Sequence, residues 1–129
     1  MSPAAGRRAG RRQALFLLYQ WDLTGQPLAS LFEGEPDEFA ATLARSVAER
    51  AGELDLRITE TSRDWPADRL GTLERNVLRI GVYELEEGTV PPEVAINEAV
   101  VLAKRYATDE AARLVNGILG RIARDEEAA

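Results

Sequence analysis

Between its glycines and prolines, nearly every segment of this 129-residue chain repeats apolar residues at the 3.6-residue period of a helix, and nowhere do β-branched residues alternate with polar ones. A pattern of that kind allows helices that each bury one stripe, and it excludes a sheet. The first stripe, Ala14, Leu17, Leu18 and Trp21, predicts a helix over about residues 9–23. It should stop at Thr24-Gly25, where Gly25 can take the left-handed conformation that ends helices. Gln26-Pro27 opens a loop with one short turn near residues 28–32, and Pro36 fits the first position of a second helix carrying Phe39, Leu43 and Val47. Gly52 is expected to interrupt that helix, with Leu54 and Ile58 continuing a weaker pattern to about residue 63.

Ser62-Arg63-Asp64-Trp65-Pro66 marks the expected boundary between two halves, because the residue before a proline is driven out of helical geometry. Beyond it, Leu70, Leu73, Val77 and Ile80 form one apolar row and Leu78, Val82 and Leu85 a second, so this helix is buried on more than one side. It ends at Glu86-Glu87-Gly88, and Pro91-Pro92 set the entry to a helix with rows Ala95, Ala99, Leu102 and Ile96, Val100, Ala103. Thr108 or Asp109 caps a last helix with the stripe Ala111, Leu114, Ile118 and Ile122, and Asp125-Glu126-Glu127 reads as a short acidic tail. The expected fold is all-α, with about six or seven helices in one domain over residues 1–129. Its amino-terminal half covers about 7–63 and its carboxy-terminal half about 66–124.

The composition, 45% hydrophobic and 29% charged, belongs to a soluble globular protein. The longest apolar run, residues 14–19, is far below the roughly 20 residues that span a bilayer, and the terminus lacks a signal-peptide pattern. No membrane partner and a cytoplasmic location are expected. Neither cysteine nor histidine is present, which removes disulfides, thiol nucleophiles, thiolate zinc sites and imidazole bases. No serine sits in a nucleophile elbow, no glycine-rich run resembles a phosphate loop, and the acidic run Glu33, Glu35, Asp37, Glu38 lacks calcium-loop spacing. The chain is therefore expected to be no enzyme, with no catalytic residue, metal or cofactor.

Charge is distributed unevenly. Arg7, Arg8, Arg11 and Arg12 stand among the first twelve residues with no acid, leaving twelve bases against twenty-two acids elsewhere. A cationic arm on an acidic body grips a polyanion locally while the remainder repels it. Arginine binds phosphate through a planar fork and stacks on bases, and the helical continuation brings Tyr19 within reach as a stacking platform. A merely solvated terminus is the alternative. The polar pairs Asn97-Glu98 and Asn116-Gly117 interrupt apolar stripes. They read as buried amides satisfying backbone groups and, at Gly117, as a point where two helices approach closely. Tyr106 reads as a core aromatic with a wet hydroxyl or as a binding platform.

Four blocks occur in order: Arg7-Arg8-Ala9-Gly10-Arg11-Arg12-Gln13-Ala14-Leu15 with Tyr19-Gln20-Trp21; Glu74-Arg75-Asn76-Val77-Leu78-Arg79-Ile80-Gly81-Val82-Tyr83-Glu84-Leu85; Val90-Pro91-Pro92-Glu93-Val94-Ala95-Ile96-Asn97-Glu98-Ala99-Val100; and Val115-Asn116-Gly117-Ile118-Leu119. Together they resemble the NusB family of bacterial transcription antitermination factors. Residues 25–65 match only in helical character. The resemblance implies two small helical bundles packed together and a partnership with the ribosomal protein NusE. It also implies binding of single-stranded boxA RNA in ribosomal RNA leader transcripts, within a transcription elongation complex. Arg7, Arg8 and Arg11 match the family's arginine motif. Tyr19, Tyr106, Glu110 and Arg113 fall where its RNA surface continues, and Leu23 and Glu74 fall on its protein-partner surface. Arg12 replaces a common acid and adds phosphate attraction without sequence readout. NusB-like modules also begin certain ribosomal RNA methyltransferases, but a chain read to Ala129 is not expected to carry a methyl-donor domain.

The competing reading is a helical protein-interaction module or homodimer with no nucleic-acid role. Phe16, Leu23 and Val82 would then form the apolar row left over from the core.

Overall fold

The computed structural model describes residues 3–62 and 67–128, and side chains from Gly6 onward. Among the described residues all regular structure is helical: α1 (Pro3–Thr24), α2 (Glu38–Glu49), α3 (Ala51–Thr61), α4 (Thr72–Glu87), α5 (Pro92–Tyr106) and α6 (Asp109–Ala128). Short 3-10 turns occupy Leu28–Leu31 and Ala67–Arg69. The all-α expectation holds, and none of these helices is long and apolar enough to cross a membrane. Two compact units divide at Arg50 and Ala51. The expected division near Ser62–Pro66 lies partly outside the described residues, and α3, expected in the first half, belongs to the second unit.

In the first unit α1 begins at Pro3, six residues before the expected start. Proline suits a first helical turn, where its missing N–H has no partner to lose, and nothing between it and Ala9 breaks a helix. At the other end Gly25, at φ +73°, donates its backbone N–H to the Trp21 carbonyl at 3.0 Å and closes the helix as anticipated. The helix packs on α2, burying Ala14, Leu15, Leu17 and Leu18 on its side and Ala40, Ala41, Leu43, Ala44 and Val47 on the other. Trp21 is only half-buried, whereas Leu15, outside the expected stripe, is fully buried. Pro36 is not the first helical residue of α2. Asp37 caps the helix instead, its carboxylate accepting from the Ala40 N–H at 2.9 Å. The chain then breaks at Arg50, while Gly52 lies inside α3.

The second unit is built around α4, which packs on α3, α5 and α6. Its two apolar rows account for that: Val77, Leu78, Ile80 and Val82 are all buried. Val82 is completely enclosed and is therefore not part of any leftover apolar row. Gly81 sits against α6, where an added Cβ would come within 2.5 Å of a Leu119 methyl. Arg79, also buried, forks onto the Asp55 carboxylate of α3 through Nε to Oδ1 at 2.7 Å and Nη2 to Oδ2 at 2.6 Å. The Asn76 amide completes the network, its Oδ1 accepting from Arg79 Nη1 at 3.0 Å and its Nδ2 donating to the Thr72 carbonyl at 2.8 Å.

Gly88, at φ +67°, ends α4, and Pro91 and Pro92 start α5 as expected. Thr108 rather than Asp109 caps α6, its hydroxyl oxygen accepting from the Ala111 N–H at 2.9 Å. Ala95, Ala99 and Ala103 of α5 and Ala111 and Ala112 of α6 are buried small residues that let these two helices pack. Asp125-Glu126-Glu127 is not a loose tail: it continues α6, and Glu126 pairs with Arg57 at 3.1 Å.

Candidate nucleic-acid interface

All four arginines of the arm lie on α1, where a 100° turn per residue separates them into two rows, Arg7 with Arg11 and Arg8 with Arg12. The first row faces α2. Its guanidinium carbons stand 5.9 Å (Arg7) and 5.7 Å (Arg11) from the centre of the Phe39 ring, within reach of a cation–π attraction. Gly10 lies on the same face, and a Cβ there would come within 2.5 Å of Phe39 Cδ1, so this glycine is what lets the ring sit against the helix. Arg11 retains only 4% of its surface. The exposed cations of the arm are thus Arg7, Arg8 and Arg12. Tyr19 is half-buried two to three turns on, with the fully buried Leu15 between it and the arginines.

In the second unit Tyr106 ends α5, half-buried, with the Arg105 guanidinium 5.5 Å from its ring centre. Glu110 and Arg113 are exposed and one turn apart at the start of α6. Arg113 also lines a groove of about 460 Å³ between α5 and α6, together with Val100, Lys104, Asp109, Ala112 and Asn116. Neither Tyr106 nor Glu110 lines it. The sequence reading missed Lys104 and gave Asn116 a buried role. Both Asn97 and Asn116 are exposed, and Gly117 has nothing within 4 Å of where its Cβ would be, so it brings no helices together. The buried amide of the chain is Asn76. The spacing of Asp109, Arg113 and Asn116, four and then three residues, was the available signal, since it places all three on one face of α6.

Of the two residues assigned to a protein partner, Leu23 is 61% exposed near the end of α1. Glu74 is half-buried in the first turn of α4, its carboxylate folded over Gly71 where the helix dipole favours a negative charge. Phe16 is 41% exposed and lines a second groove of about 270 Å³ with Gln13, Gln20, Leu31 and Phe32. No group of three or more metal-ligating side chains occurs among the described residues.

The NusB family model matches residues 8–124. The transcription antitermination protein NusB of Rubrobacter xylanophilus is 41% identical over 120 residues, 88% of this chain and 86% of its own. Among solved structures, NusB of T. maritima superposes with a TM-score of 0.82 at 32% identity, covering 97% of this chain and 93% of that one. A structure of the antitermination factors NusB and NusE in complex with dsRNA contains a chain with a TM-score of 0.82 at 32% identity, covering 94% and 98%.

Proposed function

The chain belongs to the NusB family, and from that premise we propose that it is an RNA-binding antitermination factor that pairs with NusE and takes up single-stranded boxA RNA of ribosomal leader transcripts. In this reading it acts in the cytoplasm, within a transcription elongation complex. The observation that carries it is the trio of exposed arginines, Arg7, Arg8 and Arg12, on one helix of a chain whose net charge is −6. Cations held on a helix meet phosphates without first being ordered, and the acidic remainder keeps the polyanion from spreading elsewhere. The similar chain from a structure of NusB and NusE with dsRNA supports pairing with NusE and binding of RNA.

Roles follow from chemistry. Arg7, Arg8 and Arg12 contact phosphates, with Arg11 backing Arg7. Tyr19 and Tyr106 offer ring faces to bases, and the Glu110 carboxylate accepts from a base amino group. Arg113 and Lys104 supply further phosphate contacts. Leu23 and Glu74 meet NusE, a basic ribosomal protein for which an acidic surface is complementary.

Titration of a boxA oligonucleotide with the chain and purified NusE, repeated over several salt concentrations, tests the proposal. Three phosphate contacts on a single strand contribute a slope of about −2 to log affinity against log salt. Replacing Arg8 and Arg12 by alanine should weaken binding and reduce that slope by about 1.4. Unchanged affinity and slope would remove the arm from the RNA site.

A further inference from the structure

We propose that Phe39 is a positioning residue for the arginine arm: its ring holds the guanidiniums of Arg7 and Arg11 so that the phosphate-binding edge of α1 is set before RNA arrives. The inference rests on the RNA-binding reading above and adds a residue outside the arm. Phe39 lies in the first turn of α2, and its place is fixed from two sides. Asp37 caps that turn through the Ala40 N–H at 2.9 Å. Gly10 leaves the room the ring needs, since any Cβ there would come within 2.5 Å of Phe39 Cδ1 and 3.3 Å of Asp37 Oδ2.

Burial alone does not account for the ring. Phe39 is only half-buried, whereas Ala40, Ala41, Leu43, Ala44 and Val47 of the same helix are enclosed. What meets its π system is a pair of cations, at 5.9 and 5.7 Å. An aromatic ring suits this task better than a carboxylate would. A carboxylate orders an arginine by cancelling its charge, while a ring attracts the cation through its quadrupole and leaves the charge to be felt by a phosphate. The nearby carboxylate of Asp37 accepts from the α2 backbone. An arginine already seated has lost much of its rotamer freedom before the ligand binds, so binding orders less.

The test uses the full chain with NusE and a boxA oligonucleotide, comparing Phe39→Leu, Phe39→Trp and the Arg8→Ala/Arg12→Ala pair, with thermal melts alongside. Phe39→Leu keeps an apolar side chain but no ring. It should weaken RNA binding roughly two- to fivefold, the worth of one exposed cation–π contact, and reduce the salt slope by up to about 0.7 as the Arg7 contact is lost. Phe39→Trp should bind at least as tightly as the parent, because indole is the strongest cation–π partner. A purely structural phenylalanine would lower the melting temperature of Phe39→Leu and leave the affinity and slope of the folded protein unchanged. That result overturns the inference, as does a tryptophan variant that binds no better than the leucine one. If the Arg8/Arg12 pair changes nothing, the RNA reading itself falls. If that pair weakens binding while both Phe39 variants match the parent, only the positioning role falls.

Discussion

Replacing glycine by alanine at two helix-interior positions of the second unit should have opposite effects, because the same methyl meets open solvent at one and a packed leucine at the other. In an exposed helix interior alanine is favoured over glycine by about 1 kcal/mol, through reduced freedom of the unfolded chain and better backbone shielding. Gly117 of α6 is exposed with nothing within 4 Å of its Cβ position, so the whole gain should appear. Gly81 of α4 has the same intrinsic gain, but its Cβ would stand 2.5 Å from Leu119 Cδ1, 3.0 Å from Cδ2 and 3.3 Å from Cγ. Leu119 is fully enclosed and must shift to admit the methyl, and overpacking of this kind costs about 1–3 kcal/mol. The expected outcome is stabilisation by about 1 kcal/mol for Gly117→Ala and destabilisation by up to about 2 kcal/mol for Gly81→Ala. Urea unfolding followed by far-ultraviolet circular dichroism reads both as shifts of the midpoint at constant slope. Leu119→Ala provides a control: alone it costs about 2–5 kcal/mol, and combined with Gly81→Ala it should cost less than the sum. If the two glycine variants shift together, or Gly117→Ala destabilises, the packing described for α4 and α6 is wrong.

Other consequences can be checked with the same methods. Removing either helix cap, by Asp37→Ala or Thr108→Ala, should cost about 1 kcal/mol in urea unfolding, with asparagine at either position recovering most of it. Asp55→Ala removes two charge-assisted hydrogen bonds from Arg79, 5% exposed, and should cost about 3 kcal/mol, of which a second change, Arg79→Met, should restore a part. Lys104→Ala with Arg113→Ala should weaken boxA binding in the presence of NusE and lower the salt slope by about 1.4, and an oligonucleotide of scrambled sequence should be affected equally, since phosphate contacts carry no sequence information.

The helices were legible in the sequence because what specifies them is local. Apolar spacing gave their number and approximate length, and Gly25, Gly88, Pro92 and Thr108 end or begin helices where their own backbone chemistry says they should. The misreadings occurred where two local signals competed or where a distant contact decided. Pro36 and Asp37 both mark helix starts, and the carboxylate that reaches the Ala40 N–H prevailed. α3 groups with the second unit because Leu54 and Ile58 bury there and Asp55 meets Arg79, a residue 24 positions away that in the sequence looks like an ordinary surface arginine. Asn97 and Asn116 looked buried because apolar residues flank them along the chain. On a helix, however, adjacent residues point 100° apart, so apolar neighbours in sequence say little about an asparagine between them.

The site was legible as a composition and not as a geometry. Four arginines in twelve residues announce a cationic arm, but sequence alone treats them as equivalent, and the repeat Gly-Arg-Arg-Ala-Gly-Arg-Arg makes its two halves look interchangeable. The helix breaks that symmetry. Gly6 has open space around it, whereas Gly10 faces a ring contributed from Phe39, and the arginines at i−3 and i+1 of Gly10 are drawn onto that ring while Arg8 and Arg12 point elsewhere. A glycine costs a helix about 1 kcal/mol relative to alanine, so one inside a cationic helix asks for a reason. Here the reason is contact with a second helix, beside which Arg11 is nearly buried while Arg7 remains available at the surface. What seats Arg7 and Arg11 on the ring is therefore the small residue beside them and the aromatic it admits, and neither carries charge.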